Sequence, residues 1–213
     1  MKILVSAGPT VEDIDAVRFI SNRSTGRMGF SVARAGVSAG HTVRLVSGPV
    51  SIAVPDGVEF YGVRSASDML RTLRAHFGWC DALIMTAAVS DYAPVEVYDG
   101  KRHKSGDPSE EWTIRLKRTP DILETLAQDK RADQTVIGFS VDAKINAALA
   151  HEKMKRKGLN YIVVNDVSSF GADSARFIIL SSTGGCDDIG AVDKPELASR
   201  LIELIEKQGH SCG

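Results

Sequence analysis

The chain has 213 residues, 43% hydrophobic and 25% charged, a composition typical of an ordinary globular protein with a full core. Its formal net charge of −1 argues against non-specific nucleic-acid binding, which needs a concentrated excess of Lys and Arg. No apolar run approaches the ~20 residues that span a bilayer, and the first residues, MKILVSAGPT, do not have the pattern of a secretory signal. We therefore expect a cytoplasmic protein that binds neither membranes nor nucleic acids.

The three cysteines and five histidines are scattered along the chain and show no metal-ligand spacing. Cys80, Cys186 and Cys212 form no CxxC pair and are odd in number. A disulfide framework or a zinc site is therefore not expected, and reduced thiols are the simple interpretation.

Short runs rich in Val and Ile alternate with amphipathic stretches, which predicts an α/β fold with a mostly parallel, Rossmann-like sheet. Because these runs are apolar throughout, we expect helices on both faces of the sheet. The predicted strands are Lys2–Ser6, Thr42–Ser47, Val58–Val63, Ala82–Thr86, Val136–Ser140 and Tyr161–Val164. The predicted helices are Met28–Ala39, Ser67–Phe77 (capped by Ser67), Pro120–Gln128, Lys144–Lys157 and Pro195–Lys207.

Two segments interrupt this alternation. Asp99–Arg118 is polar and glycine-containing and ends in EEWTIRLKR, whose alternation is strand-like, so we interpret it as a flap or β-excursion. Arg176–Ser181 followed by Thr183–Gly185 predicts an antiparallel hairpin at the sheet edge. The prediction is one domain over residues 1–213, with the flap at 99–118.

The segment Ser24–Gly29 opens the first predicted helix, where backbone N–H groups form an anion site without any side chain. Judged alone, the stretch favours a plain capped helix start, with Gly29 permitting close packing on the sheet. A dinucleotide fingerprint (GxGxxG) and a P-loop are both absent from the sequence, as is a Tyr–Lys pair four residues apart. Hydride transfer is therefore disfavoured.

Several blocks in a fixed order carry more information than these single patterns. They are Ser6–Thr10, Asp13–Asp15, Val17–Gly29, Ala87–Tyr92, Lys101–Lys104, Pro120–Leu123, Gly138–Phe139, the helix with Lys153 and Lys157, and Val164–Val167. In this order and spacing the chain resembles, over essentially its whole length, the phosphopantothenoylcysteine synthetase family.

The resemblance implies a ligase of coenzyme A biosynthesis that joins 4′-phosphopantothenate to L-cysteine through an acyl-cytidylate, with release of pyrophosphate and CMP. It implies CTP as co-substrate, although ATP stays possible, with Mg²⁺ as cofactor. It also implies a homodimer in which the loop around Asp13–Asn22 helps the partner. Because the chain begins at the first strand of the synthetase, we expect the fused decarboxylase of many bacterial relatives, and its FMN, to be absent.

The resemblance also assigns residues, and each assignment has a structural alternative. The implied catalytic residues are Asn22, Lys101 and Arg18, and the implied metal ligand is Asp91. The nucleotide site would comprise Met85, Thr86, Ala87, Ala88, Asp91, Lys101, Pro120, Asp121, Ile122, Leu123, Phe139, Lys153 and Lys157, and the substrate phosphate site Ser24, Thr25, Gly26, Met28 and Gly29. The alternatives are a turn residue for Asn22, a core side chain for Phe139, and a solvated basic helix end for the two lysines of HEKMKRKG.

Two positions depart from the family pattern. Thr119 replaces the usual Asn before Pro-Asp-Ile, and Ser140-Val141-Asp142-Ala143 follows Gly-Phe where Glu-Thr is usual. Both lie near the implied nucleotide pocket and leave the preferred base open. An NAD(P)-binding oxidoreductase, or a nucleotide-binding module that has lost turnover, are the alternative functions.

Overall fold

A central eight-stranded sheet organises the computed structural model, which describes residues 1–107, 109–142, 147–166 and 174–209. The strands are β1 (Lys2–Ala7), β2 (Val11–Asp13), β3 (Phe19–Ser21), β4 (Thr42–Ser47), β5 (Val58–Gly62), β6 (Ala82–Met85), β7 (Tyr92–Pro94), β8 (Leu116–Arg118), β9 (Thr135–Asp142), β10 (Tyr161–Asp166), β11 (Ser174–Ser181) and β12 (Cys186–Asp193). The helices are α1 (Arg27–Ser38), α2 (Ala66–Phe77), α3 (Ile122–Ala127), α4 (Ala147–Arg156) and α5 (Lys194–Gly209).

The strand order of the large sheet is β12-β11-β10-β9-β6-β1-β4-β5. Six neighbouring strands are parallel: β10, β9, β6, β1, β4 and β5. Strands β11 and β12 add an antiparallel hairpin at the β10 side of the sheet. The predicted mostly parallel sheet with an edge hairpin is confirmed. The strand order reverses between β1 and β6, and in open α/β sheets ligands bind in the crevice at the carboxyl ends of such a pair.

Helices cover both faces of the sheet, as predicted. Alternate residues of β1 point to opposite faces, so that Ile3 and Val5 belong to one buried cluster and Leu4 to the other. The first cluster includes residues of α1 and α5, and the second includes residues of α2, α3 and α4. The central strands β1 and β6 are thus buried on two sides, which is why they are apolar almost throughout, whereas the edge strand β5 has no fully buried residue.

Helix α1 begins immediately above the end of β1 because Gly29 permits close contact. A Cβ atom on Gly29 would lie 2.5 Å from the Ala7 Cβ atom and 2.9 Å from the Ser6 carbonyl oxygen. The residue that precedes the helix, Gly26, has a φ of 78°, which favours glycine. Together the two glycines bring the N-terminus of α1 onto the carboxyl edge of the sheet.

The start of α2 differs from the prediction. Ser65, not Ser67, is its N-cap, with the Ser65 hydroxyl accepting a hydrogen bond from the Asp68 N–H and the Asp68 carboxylate accepting one from the Ser65 N–H. This reciprocal capping box satisfies two donors, whereas Ser67 is already inside the first turn. For α4, the predicted start at Lys144 lies outside the described residues.

Two small antiparallel ribbons stand apart from the main sheet: β2 with β3, and β7 with β8. The hairpin excursion is confirmed, but its first strand begins at Tyr92, and within EEWTIRLKR only Leu116–Arg118 pairs as a strand. The β2–β3 ribbon was not predicted. Backbone hydrogen bonds from the Tyr98 N–H to the Ile14 carbonyl (3.0 Å) and from the Ala16 N–H to the Gly100 carbonyl (3.1 Å) join the two ribbons.

Within the described parts of the chain, no helix combines the length and the apolar character needed to cross a lipid bilayer.

Candidate functional site

Two adjoining cavities lie along the carboxyl edge of the parallel strands, with volumes of about 420 Å³ and about 690 Å³. We call them the smaller and the larger cavity. Both are lined by residues from the β6–β7 loop, β8, the start of α3, β9 and the end of α4, so they form one continuous cleft. The shared lining residues are Ala87, Val89, Asp91, Arg118, Asp121, Phe139, Arg156 and Lys157.

The loop after β6 is held in place by two hydroxyl groups that are fully buried at the end of β1. The Ser6 hydroxyl accepts a hydrogen bond from the Ala87 N–H at 3.1 Å, and the Thr10 hydroxyl accepts one from the Ser90 N–H at 2.9 Å. The Ala88 N–H donates to the Gly8 carbonyl at 2.9 Å. The sequence prediction gave these hydroxyls no individual role, although polar side chains at the end of an apolar strand are a detectable signal.

Asn22 is placed beside this loop. Its side-chain amide donates a hydrogen bond to the Ala88 carbonyl at 2.9 Å, and the same oxygen accepts the Thr10 N–H at 3.1 Å. Asn22 is exposed and lines the larger cavity. The structure therefore brings together three predicted site residues, Asn22, Ala87 and Ala88, at the reversal point of the sheet.

The N-terminus of α1 forms one end of the larger cavity, which is lined by all five predicted phosphate-binding residues: Ser24, Thr25, Gly26, Met28 and Gly29. Within the described chain, α1 has neither a side-chain cap nor an acidic residue in its first turn. Exposed N–H groups and the positive end of the helix dipole at such a terminus favour an anion. The geometry is consistent with the predicted phosphate site.

The two predicted lysines, Lys153 in α4 and Lys157 directly after it, both line the cleft. The Lys157 ammonium forms a salt bridge with the Asp121 carboxylate at 2.8 Å, and the Lys153 ammonium donates to the Ser140 hydroxyl at 2.9 Å. Asp121 also caps α3 through the Glu124 N–H at 3.1 Å. Burial opposes ionisation of the Asp121 carboxyl, but the Lys157 ammonium and the Glu124 N–H more than offset it and lower the Asp121 pKa.

Arg118 and Arg156 also line both cavities, although the sequence prediction did not include them. The sequence did offer a signal for them, because Arg118 lies two residues before Pro120 and Arg156 directly precedes Lys157. With Lys153 and Lys157 they give this part of the cleft four cationic side chains, against the carboxylates of Asp91 and Asp121.

The smaller cavity has an apolar wall formed by Met85, Ile122, Leu123 and Phe139. Such a wall suits a flat aromatic base. Phe139 is partly buried and packs against the core, and it also lines the smaller cavity, so its contact with a nucleotide stays a prediction. Thr119, one of the departures from the family pattern, donates its hydroxyl hydrogen to the Ser90 carbonyl at 2.6 Å. Its side chain thus binds the loop backbone.

Arg18 lies away from the two cavities of its own chain. Its guanidinium forms an ion pair with the buried Asp15 carboxylate, donates to the Arg102 carbonyl at 2.8 Å and stacks on the Trp112 ring at 4.6 Å. The hydrogen bond from Arg18 holds the Asp15 pKa well below its usual range. Lys101 is exposed in the segment between β7 and β8, which also contains Arg102 and Trp112, and it lines neither cavity. The catalytic roles of Arg18 and Lys101 stay predictions.

Asp91 is exposed and lines both cavities. The part of the chain that the structure describes contains no group of three or more His, Cys, Asp or Glu side chains able to hold a metal ion. Mg²⁺ at nucleotide sites is usually held by one or two carboxylates together with phosphate oxygens and water. The Asp91 carboxylate, in a cleft with several cationic side chains, therefore fits an ion that would arrive with a nucleotide.

Comparison with known proteins places this cleft in a family. Residues 1–208 match the family model described as DNA/pantothenate metabolism flavoprotein C-terminal domain. The coenzyme A biosynthesis bifunctional protein CoaBC of Bacillus subtilis is 38% identical over 216 residues, covering 99% of this chain and 52% of that protein. The CoaBC protein of Vibrio parahaemolyticus is 42% identical over 171 residues, covering 79% of this chain and 42% of that protein. The chain thus spans about half the length of these curated relatives.

Solved structures show the same fold. The crystal structure of the C-terminal domain of CoaBC superimposes with a TM-score of 0.85 at 35% identity, covering 99% of this chain and 96% of that one. The DNA/pantothenate metabolism flavoprotein from Streptococcus pneumoniae gives a TM-score of 0.83 at 25% identity, covering 97% and 99%. A Cab2 mutant in complex with phosphopantothenate-cysteine, at 15% identity and a TM-score of 0.78 over 100% of this chain and 89% of that one, shares the fold.

Proposed function

The chain belongs to the family of DNA/pantothenate metabolism flavoprotein C-terminal domains, and we propose that it ligates 4′-phosphopantothenate to L-cysteine at the expense of CTP. The observation that carries this proposal is the single cleft. An uncapped helix N-terminus, four cationic side chains and an apolar pocket adjoin one another there, so a phosphorylated acid and a nucleoside triphosphate can bind side by side.

The first half-reaction makes the substrate carboxylate electrophilic. A carboxylate oxygen attacks the α-phosphorus of CTP, the bond to the bridging oxygen of the β-phosphate breaks, and pyrophosphate leaves. An acyl-cytidylate remains. Both reactants are anionic, so the cleft must supply positive charge, and Lys153 and Lys157 on one face of α4 are placed to do so. In this proposal Lys101 closes over the phosphates and excludes water.

The second half-reaction forms the amide bond. The cysteine amine attacks the acyl carbonyl carbon, negative charge develops on the carbonyl oxygen, and CMP leaves with the electron pair of the acyl–oxygen bond. The proton lost by the amine passes to solvent. Asn22 is fixed next to Ala88, and its amide is assigned to orient the acyl group and stabilise the developing charge.

Asp91 would hold Mg²⁺ together with oxygens of the nucleotide. When bound, the ion neutralises phosphate charge and stabilises the pyrophosphate leaving group. The remaining charge on the triphosphate is balanced by the cationic residues of the cleft.

The nucleotide base is assigned to the smaller cavity, against Phe139, with the Pro120–Leu123 segment on one side. We propose that the co-substrate is CTP and not ATP, because the Pro-Asp-Ile block resembles that of the bacterial members of the family. All reactants are small, water-soluble metabolites, which is consistent with activity in the cytoplasm.

A reaction assay tests the ligase directly. The purified chain should release pyrophosphate and CMP in equal amounts when phosphopantothenate, cysteine, CTP and Mg²⁺ are all present. Release of CMP should stop when cysteine is omitted, because the acyl-cytidylate then has no nucleophile. The proposal would be ruled out if CMP formed at the same rate without cysteine, or if neither CTP nor ATP supported turnover.

We also propose a homodimer formed through the two ribbons. They expose the apolar side chains Val17, Phe19, Tyr92, Val97 and Leu116, with Val17 59% and Val97 62% exposed. Neighbouring exposed apolar side chains are typical of interaction surfaces. The same arrangement would carry the Arg18 loop toward the cleft of the partner, in agreement with its position away from the cavities of its own chain.

Replacing Phe19 with Asp should halve the molar mass measured by light scattering at micromolar concentration, because it would place a charge in an apolar interface. Phe60→Asp is the matched control, since Phe60 is 42% exposed but lies on β5 of the main sheet, outside the two ribbons. A monomeric wild type, or dissociation of the Phe60 variant as well, would contradict this interface.

A further inference from the structure

Helix α5 delivers a cationic residue to the far end of the larger cavity. Strand β12 runs parallel to β10, since two antiparallel pairings separate them, and it therefore ends at the carboxyl edge. Its last residue, Asp193, caps α5 by accepting the Glu196 N–H at 2.8 Å. Lys194 is the first residue of this helix, and it is half-buried at the same edge of the sheet as the cleft.

The position of Lys194 is fixed by the packing of α5. Leu197 and Leu201 are fully buried in the cluster that also contains residues of α1. The Ile202 side chain of α5 packs next to Gly36 of α1, with its Cδ1 atom 3.7 Å from the place of a Cβ atom there, an ordinary van der Waals distance. The first residues of α1 and α5 therefore come together at one edge of the sheet.

Lys194 lines the larger cavity together with Ser24–Gly29, and it also lines an adjoining groove of about 310 Å³ with Arg27. It does not line the smaller cavity, where the base is assigned. Lys153, Arg156 and Lys157 also line the larger cavity, and Arg156 and Lys157 line the smaller one as well. The cleft thus has one group of cations next to the base pocket, and Lys194 together with Arg23 and Arg27 next to the uncapped N-terminus of α1.

We propose that Lys194 binds the phosphate monoester of the acid substrate and so makes the enzyme select the phosphorylated acid over the free alcohol. The N-terminus of α1 supplies backbone donors and roughly half a positive charge, which alone is small against a phosphate dianion. An ammonium group beside it adds a charge-assisted hydrogen bond. This inference rests on the proposed function, since that function names the substrate.

The test compares Lys194→Met, which keeps the length of the side chain but removes its charge, with the wild type. The dissociation constant of phosphopantothenate, measured by calorimetry without nucleotide, should rise about 10- to 100-fold, the usual range for a hydrogen bond to a charged group. The KM for CTP should stay within about 2-fold. Lys194→Arg should recover most of the affinity, because it restores the charge.

Lys207→Met is the matched control, because Lys207 lies in the last turn of the same helix. It should leave phosphopantothenate binding unchanged. An unchanged dissociation constant in Lys194→Met, or an equal loss in the Lys207 variant, would overturn the inference. A rise confined to the KM for CTP would also overturn the inference, because it would show that Lys194 binds the nucleotide phosphates instead. Because this measurement needs no turnover, failure of the ligase assay would not be confused with failure of the phosphate contact.

Discussion

In Asn22→Ala, CMP release should slow by about 10²- to 10³-fold, the usual cost of losing one donor that stabilises a developing oxyanion. Pyrophosphate release should behave differently. We expect a rapid burst of one equivalent of pyrophosphate per site, followed by release at the slow rate of CMP formation. The reason is that the acyl-cytidylate forms at the normal rate and accumulates because aminolysis is slow. Rapid-quench measurement of both products resolves the two steps.

The fold should tolerate this substitution. Asn22 is exposed, and within the described residues its side chain donates a hydrogen bond to a carbonyl that also accepts the Thr10 N–H. Ser21→Ala is the matched control: the Ser21 hydroxyl donates to the Thr10 carbonyl at 2.8 Å from the same loop, but Ser21 does not line the larger cavity. Loss of the rapid pyrophosphate burst in Asn22→Ala, or a similar defect in Ser21→Ala, would refute a role confined to the second step.

The sequence predicts the main sheet well because parallel strands buried on both faces are continuously apolar. Lys2–Ala7 and Ala82–Met85 are such strands, and their ends mark the reversal point that a Rossmann-like order implies. The location of the cleft follows from this topology. The residues assigned to it by resemblance follow from motifs at those strand ends.

The short ribbons could not be predicted in the same way. Strands β3 and β8 are largely exposed and have three residues each, so no apolar periodicity distinguishes them from loops. The contacts of Arg18 with Arg102 and Trp112 join residues more than 80 positions apart. The helix Pro195–Lys207 was predicted within one residue of the start of α5, but Lys194 was missed because β12, with the sequence CDDIGAVD, is mostly exposed and was not predicted as a strand. Only its pairing with β11 shows that α5 begins at the carboxyl edge of the sheet.

The second large effect is expected at Lys157, whose ammonium group already binds one anion of the cleft. In the free protein it pairs with Asp121 at 2.8 Å, and its side chain is 23% exposed. Lysine has three donors, so the ammonium can keep this contact and bind a phosphate oxygen of the nucleotide. Lys157→Met should therefore lower kcat/KM for CTP by about 10²- to 10³-fold, while the KM for cysteine stays near the wild-type value.

Part of any loss in Lys157→Met could come from Asp121, whose carboxylate would be left partly buried without its cation. Asp121→Asn separates the two contributions, since asparagine is also a good N-cap for α3 but carries no charge. If Lys157 acts on the nucleotide, Asp121→Asn should reduce kcat/KM for CTP much less than Lys157→Met. If Lys157 serves only to neutralise Asp121, the double variant should recover most of the activity of the wild type.

The sign of the pH dependence follows from the lowered pKa of Asp121. Above the unfolded-state pKa of about 3.9 the carboxylate is charged, and the pair with Lys157 contributes fully to stability. This contribution is lost as the pH falls through the lower pKa of the Asp121 carboxyl in the folded protein, so thermal melting between pH 5 and pH 8 should not resolve it.

Lys155→Met is the helix control for Lys157→Met, because Lys155 is exposed on α4 and lines neither cavity. An equal fall in kcat/KM for that variant would show that the charge of the helix end, and not the position of Lys157, matters.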